Sequence, residues 1–517
     1  MINYWWVTRP KRKLNSVPEV LAGIAEVSLD IEWQGQRNTH LNVEEALEKA
    51  GLKRVGERRD QTGGGARTYI AWLRSLGLIF TQQTTKKTKL TLAGEALLNG
   101  EPPVEIITNQ ILKYQFPSAF SIGRGVCVSE RFKVHPFVFL LRLLADSRVR
   151  YLTQEEIAKV VITEAETDKD ECFEYIVKRI SDFRNYGDAI LEENFFEKYA
   201  SGKKTVNSQG DFSHLEDTAN TFINWIEYTQ LAIRKDKKLV IVESKKEQVE
   251  EILKQPHSFI DRWNEEEYFQ RKFGVDPRHN KDTRNLTNTK TVTPQMIAEQ
   301  KIVRSYIQLA SETPVSQVSE DVINYVANVS GFESSVVAET LNKRYPYGSI
   351  GSFMTKYYEM AFKGRDEATE FEKATAELFD SVFGFKTKHV GPIGLTPDVL
   401  LISEEYRYAG IIDNKAYSEY TINNDHHNRM VQNYLGNVER YYPDGYPIAF
   451  FSYIAGGFGK NIDTQIKKVV NASGTHGSAI DVHNVIELVK KNTENRYSQA
   501  ELKDLFSVDR RIKMSDL

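Results

Sequence analysis

The residues best placed to do chemistry in this 517-residue chain are acids and a lysine at two short spacings. Pro397-Asp398 is followed by the apolar run Val399-Leu400-Leu401-Ile402, a polar turn from Ser403 to Arg407, and Ala409-Gly410-Ile411-Ile412-Asp413-Asn414-Lys415. The pattern is a β-hairpin with an acid at the start of one strand and an acid-x-lysine at the end of the next. Alternation along a strand turns Asp413 and Lys415 to one face and Asn414 to the other, and antiparallel pairing sets Asp398 beside Asp413. Two carboxylates that close do not both stay ionised cheaply without a cation, and oxygen ligands with room for water suit Mg²⁺. The main-chain carbonyl of Asn414 could add a ligand. Phosphodiester hydrolysis uses such a set: a metal to polarise the phosphate and acidify a water, and a lysine to orient that water and offset developing charge.

The bare pattern is not specific. A Pro-Asp pair followed by acid-x-Lys within about thirty residues arises by chance in roughly one chain in five of this length. Taken alone, these residues fit ion pairs on a surface hairpin as well as they fit a nuclease site. The other Pro-Asp pair, Pro443-Asp444-Gly445, has no acid-x-Lys at a suitable distance and reads as a turn. His426 and His427 suggest a metal site, but adjacent histidines point in different directions and no third ligand accompanies them.

The rest of the chain must hold that hairpin and bring a substrate to it. Its length calls for several domains. Hydrophobic residues at 40% and charged residues at 27% describe an ordinary soluble protein, without a run long enough to span a bilayer. The start, Met1-Ile2-Asn3-Tyr4-Trp5-Trp6, lacks the features of a secretory signal, so a cytoplasmic location without membrane attachment is expected. Cys127 and Cys172 are the only cysteines, which excludes a Cys₄ zinc site and leaves two ordinary thiols.

A net charge of −3 does not point to nucleic acid, so that case rests on local clustering. From Lys53 to Lys89 the chain carries Lys53, Arg54, Arg58, Arg59, Arg67, Arg74, Lys86, Lys87 and Lys89 against Glu57 and Asp60. Arg9, Lys11, Arg12 and Lys13 form a basic arm, and Arg271, Lys272, Arg278, Lys281, Arg284 and Lys290 lie in a polar, loop-like stretch up to Pro294. The acidic run Glu164 to Glu174 reads as a solvated helix face. Helices are expected at Asn42–Ala50 and Arg67–Leu76, then a hairpin from Leu78-Ile79-Phe80 to Lys89–Leu92. Helix, helix, basic hairpin is the order of a winged helix, in which one helix enters the major groove and the hairpin follows the backbone. Arg67 and Arg74, seven apart on one helix face, are candidates for guanine or phosphate; Lys86, Lys87 and Lys89 are candidates for backbone. Helices at Pro136–Leu144 and Asp170–Arg184, the capping-box pair Thr153 and Glu156, and a hairpin from Leu231 to Val242 suggest a second unit of this kind. A charged helix at Ser244–Leu253 and a helical stretch from Pro294 to Tyr345 follow, with a break at Tyr345-Pro346-Tyr347-Gly348. Trp5, Trp6, Trp72 and Trp225 read as core.

Phe383-Gly384-Phe385, Lys388-His389-Val390-Gly391, Pro397-Asp398, Ile412-Asp413-Asn414-Lys415-Ala416-Tyr417-Ser418, Gly457-Phe458-Gly459-Lys460-Asn461, Gly477-Ser478-Ala479-Ile480 and Tyr497 to Leu502 resemble, in order, the cleavage domain of the FokI-type restriction endonucleases. This likeness covers residues 367 to 517. Tyr4-Trp5-Trp6-Val7, Lys113-Tyr114-Gln115-Phe116-Pro117-Ser118 and His135 to Leu140 are similar to type IIS enzymes of the AlwI and nicking-endonuclease group. The resemblance implies Asp398, Asp413 and Lys415 as a catalytic triad of the PD-(D/E)xK type with Mg²⁺ on the two aspartates. It also implies double-stranded DNA as substrate, a transient homodimer through the nuclease domain for double-strand cleavage, and a cognate DNA methyltransferase in the same system. Glu377 stands on the preceding helix, where some related nucleases use an accessory acid. Two departures stand out: Gly456-Gly457-Phe458 replaces a small-Gly-His-Phe stretch, and the Asp/Arg pair that the family uses in self-association has no clear equivalent between Asn424 and Gln432.

The expected architecture is multidomain. Mostly α-helical, winged-helix-type recognition domains occupy 1–110 and 111–260, and a linker and helical connector 261–350. An α/β PD-(D/E)xK nuclease domain with a central mixed sheet follows at 351–517. The expected function is a type IIS endonuclease cutting outside a short asymmetric site. A strand-specific nicking enzyme and a catalytically inactive DNA-binding regulator are the alternatives.

Overall fold

The run Val399-Leu400-Leu401 and the pair Ile411-Ile412 are apolar on both faces, and such strands belong inside a sheet covered by helices on either side. In the structure, a computed structural model, they are interior. It describes residues 1–53, 63–121, 127–199, 213–286, 293–346, 348–391 and 395–517. Arg54, Glu57, Arg58, Arg59, Asp60, Lys290 and Tyr347, which entered the sequence reading, lie outside the described residues.

The chain divides into two compact units, Met1–Ile307 with Tyr325–Arg344, and Gln308–Asn324 with Tyr345–Leu517. The first is mainly helical. Helices Val17–Ser28, Arg37–Lys49 and Gly64–Ser75 precede β1 (Ile79–Thr81) and β2 (Thr88–Leu90), an antiparallel hairpin in register Ile79↔Leu90. The second helix begins five residues before the expected Asn42. The third is started by a buried acid from the second: Glu44 Oε1 accepts the Ala66 N–H at 3.0 Å, and Lys53 holds the other oxygen at 3.0 Å. A carboxylate is favourable at that helix end.

Further along this unit, Pro136–Ala145, β3 (Leu152–Thr153), Asp170–Tyr186, Ser213–Tyr228, β4 (Ala232–Lys235) and β5 (Lys238–Ile241) follow, with strand order β3-β5-β4. The capping box forms: Thr153 Oγ1 accepts the Glu156 N–H at 3.1 Å, and Glu156 Oε2 accepts that of Thr153 at 2.7 Å. Glu166, Asp170, Glu171 and Glu174 of the acidic run are exposed, as expected, but much of the run is also paired. Glu164 pairs with Arg179, Asp168 with His135, Asp170 with Arg142 and Glu174 with Arg148, a network that ties neighbouring elements together. Helix Lys246–Lys254 matches the expected charged helix. Helix Glu266–Phe273 runs into the stretch read as a loop. Trp5, Trp72 and Trp225 are fully buried, as core reading requires; Trp6 is half-buried.

The second unit is built on a six-stranded mixed sheet in the order β11-β10-β9-β8-β7-β6. β6 (Lys386–His389), β7 (Val399–Ser403) and β8 (Tyr408–Lys415) are antiparallel; β9 (Ile448–Ala455), β10 (His476–Asp481) and β11 (Arg510–Arg511) continue from β8 in parallel. Val399, Leu401 and Ile412 pack under helices Ile350–Met360, Ala368–Ser381, Val482–Glu494 and Gln499–Phe506. Leu400 and Ile411 pack on the opposite face, with Met430, Tyr434 and helix Ile462–Ser473. Gly410 lets β8 and β9 close up, because a Cβ there would stand 2.4 Å from the Phe450 ring. Among the described residues no helix is long and apolar enough to cross a membrane.

Candidate active site

The β7–β8 register pairs Val399 with Ile412, so Asp398 and Asp413 emerge side by side at the hairpin's open end. The Asn414 N–H donates to Asp398 Oδ2 at 2.6 Å, and Val390 N–H of the β6 side donates to the Asp398 carbonyl at 3.0 Å. Lys415 Nζ lies 2.8 Å from Asp413 Oδ2. Asn414 faces the other way, its Nδ2 donating to Thr375 Oγ1 at 2.7 Å on helix Ala368–Ser381. Alternation along β8 therefore gathers two carboxylates and one amine on one face and uses the residue between them to fasten the strand to the helix behind.

The electrostatics are those of a site short of positive charge. Burial, and then the charge of Asp413, push the Asp398 carboxyl well above the usual carboxylate range, against the pull of Lys415. Burial works to lower the Lys415 amine, but Asp413 and Asp398 outweigh it and raise it overall, so it is charged at neutral pH. Asp413 is 3% exposed, and among the described residues its Oδ1 has no hydrogen-bond partner. A buried carboxylate oxygen left in this way is costly unless a cation or water meets it. Among the described residues no group of three or more His, Cys, Asp or Glu side chains is arranged to hold a metal. A cation here would rest on two carboxylates, main-chain oxygen and water, which suits Mg²⁺.

Glu377 is not brought to this centre. It is exposed beside Asp380, and partial desolvation followed by that neighbour raises its carboxyl. The helix supplies Glu372 instead, whose charge acts on both Asp398 and Lys415 and whose Oε2 lies 3.0 Å from His389 Nε2. Five residues are about 500° of helix, so the two acids lie some 140° apart around it. The available signal was Thr375, which fastens Asn414: Glu372, one turn before it, is on the side toward the sheet. Tyr420 and His426 also border the centre and were not read from sequence as a pair.

The basic candidates of the first unit separate by environment. Arg67 and the hairpin-tip Lys86 are exposed, and Lys87 is half-buried. Lys89 is turned inward, 7% exposed and paired with Asp30, because residues 29–32 run alongside β2 through Leu29↔Thr88 and Glu32↔Lys87 bridges. Arg74 bonds Thr81 Oγ1 and lies 3.4 Å from Glu266, so its guanidinium serves the fold. Arg9 is half-buried with its guanidinium 5.9 Å from the Trp6 ring, and burial lowers its proton affinity. Lys11 is likewise lowered by burial. In the stretch from Arg271 to Arg284, Asp282 holds Arg271 and Arg284 at 3.1 and 2.8 Å, and Glu101 holds Arg278 at 2.6 Å.

Residues 331–513 match the family model described as FokI, cleavage domain, and residues 74–346 match that of AlwI restriction endonuclease. Type II restriction enzyme StsI of Streptococcus sanguinis is 26% identical over 200 residues, 36% of this chain and 32% of StsI. The matched stretch thus spans about a third of that relative. Among solved structures, restriction endonuclease FokI aligns over 99% of this chain and 100% of its own at 14% identity and TM-score 0.29. The BpuJ1 endonuclease binding domain, solved with modified DNA, aligns over 53% of this chain and 95% of its own at 14% identity and TM-score 0.36. Since one family model covers just over half of its length, the chain belongs to the AlwI restriction endonuclease family and is FokI-like, of the type IIS group.

Proposed function

We propose that this chain is a Mg²⁺-dependent endonuclease that recognises a short asymmetric sequence in double-stranded DNA and hydrolyses phosphodiester bonds at a fixed distance outside it. The observation that carries this reading is the unpartnered, buried Oδ1 of Asp413 beside Asp398 and Lys415. Asp398, Asp413 and the Asn414 main-chain carbonyl would hold Mg²⁺, which supplies Lewis-acid polarisation of the phosphate and a water of lowered pKa. Asp398 is fixed by the Asn414 N–H, and a bound cation would favour its ionised form over the neutral form that burial and Asp413 favour. Lys415, kept charged by its two acids, orients the attacking water and offsets charge developing on the phosphate. It acts as a donor, since the base form is suppressed.

Helices Arg37–Lys49 and Gly64–Ser75 with the β1–β2 hairpin support a winged-helix unit within 1–110, and β3, β4 and β5 with their helices a second within 111–260. Residues 261–350 are the connector and 351–517 the PD-(D/E)xK nuclease domain. Arg67 and Lys86 are retained as DNA contacts. Lys87, Arg9 and Lys11 are less exposed, and the guanidinium of Arg74 and the amine of Lys89 serve the pairings given above. A transient homodimer through the nuclease domain and a cognate methyltransferase complete the proposal.

The test is incubation of supercoiled plasmid with Mg²⁺. Discrete linear fragments are expected; open circles alone would make it a nicking enzyme, and intact supercoils with a gel shift a binding protein. Asp413→Ala should lower cleavage by at least about 10³-fold, the scale of losing a transition-state group, with DNA affinity retained. Normal cutting by that variant would refute the site.

A further inference from the structure

The segment after Lys415 is organised around a column of rings. Tyr420 is 3% exposed, with its ring 5.5 Å from Tyr453, 6.4 Å from Tyr417 and 5.6 Å from His426, the last two stacked. Tyr453 is the β9 register partner of Asp413, so the column leads from that carboxylate to the imidazole. Tyr420 Oη and His426 Nδ1 are 2.9 Å apart. The tyrosine cannot shift freely, because its N–H donates to the Gly457 carbonyl at 2.8 Å and its carbonyl accepts the Gly459 N–H at 2.9 Å. The histidine is anchored in turn by its own N–H to Asn423 Oδ1 at 2.9 Å. Its ring is half-buried, and the charges of Lys415 and Asp413 both act on it.

The Tyr420 Oη–His426 Nδ1 contact admits the phenol as donor. Burial first, then the carboxylates of Asp413 and Asp398, hold the Tyr420 phenol protonated far above the usual range. Burial, followed by the charge of Lys415, keeps His426 neutral at pH 7. A protonated phenol donating to Nδ1 leaves the hydrogen on Nε2. In that tautomer the imidazole offers an oriented N–H donor within reach of the charges of Lys415 and Asp413. An anionic phosphate approaching two carboxylates needs such donors, and a preoriented one acts without reorganisation during reaction.

We propose that His426 donates a hydrogen bond from Nε2 to a non-bridging oxygen of the phosphate being cut, with Tyr420 as the positioning residue that sets its tautomer and angle. The proposal rests on the nuclease reading of Asp398, Asp413 and Lys415. It gives His426 a role that involves no metal and separates it from His427, whose Nδ1 lies 3.5 Å from Asn428 Oδ1.

Single-turnover plasmid cleavage with excess enzyme, a gel shift without Mg²⁺ and a thermal melt test it on the full chain. His426→Ala should lower the cleavage rate roughly 10- to 100-fold, the worth of one hydrogen bond to a charged group, at unchanged DNA affinity and melting temperature. His426→Gln, which keeps an N–H donor, should recover most of the rate; Tyr420→Phe should lower it in the same direction, and His427→Ala should not change it. A His426→Ala enzyme cutting at the wild-type rate, while Asp413→Ala is inactive, overturns the inference alone. So does a rate loss that follows a lowered melting temperature and that glutamine does not restore. An active Asp413→Ala enzyme instead overturns the underlying nuclease reading.

Discussion

At Asp398 two effects act in the same direction: burial and the neighbouring Asp413 both disfavour its charged form. Its folded pKa lies above the unfolded value near about 4. The contribution it makes to stability is therefore present below that value and is lost as pH rises through the folded pKa. At neutral pH without metal it strains the fold, and a bound cation reverses the sign. Asp398→Asn keeps an oxygen for the Asn414 N–H while removing the charge. In EDTA at pH 7.5 this variant should melt roughly 2–4 °C above the parent, the shift that about 1 kcal/mol gives in a unit of this size. Added Mg²⁺ should raise the parent's melting temperature and leave the variant's unchanged. A variant that melts lower in EDTA would mean that the two carboxylates do not repel one another.

The element that divides most clearly into two roles is the β1–β2 hairpin. Lys86, at its tip with φ +59°, is exposed, whereas Lys89, three residues on, faces residues 29–32 and Asp30. The two lysines are equivalent in sequence and different in the fold. Lys86→Ala should weaken DNA binding and reduce the dependence of log K on log salt by roughly 0.9, the share of one phosphate contact, with an unchanged melt. Lys89→Ala leaves Asp30 with an unpaired charge, and should lower stability by roughly 3–5 kcal/mol or less, according to how far water reaches the carboxylate. Gel shifts across a salt series and denaturant titrations separate these outcomes. The helices show the same dependence on tertiary surroundings: Glu372 and Glu377 share one helix, yet only Glu372 has its charge coupled to Asp398 and Lys415.

For the molecule as a whole, one sheet-based unit carries a single set of Asp398, Asp413 and Lys415, and a duplex has two strands. Double-strand cutting then needs either a second copy or a second turnover after reorientation. If copies pair through the nuclease domain, the rate of linear-product formation at fixed DNA should rise more steeply than linearly with protein concentration. A strictly proportional rise with an open-circle intermediate would support sequential cutting by one copy.

Asp398, Asp413 and Lys415 could be read as neighbours from sequence because a hairpin joins them: strand period, turn length and pairing direction are local properties, and the actual register places Val399 opposite Ile412. The same held for the Thr153–Glu156 capping box and for the apolar runs that became interior strands. Glu372 with His389, and Tyr420 with His426, needed the folded chain, since a helix rotated by a few residues or a ring stacked across a loop leaves no periodic trace. The burial of Arg74 and Lys89 was equally hidden, because their partners, Glu266 and Asp30, are distant in sequence. A sequence therefore determines which chemistry is available and which neighbours a short hairpin must join, whereas burial and long-range packing decide which charged groups remain free to meet a substrate.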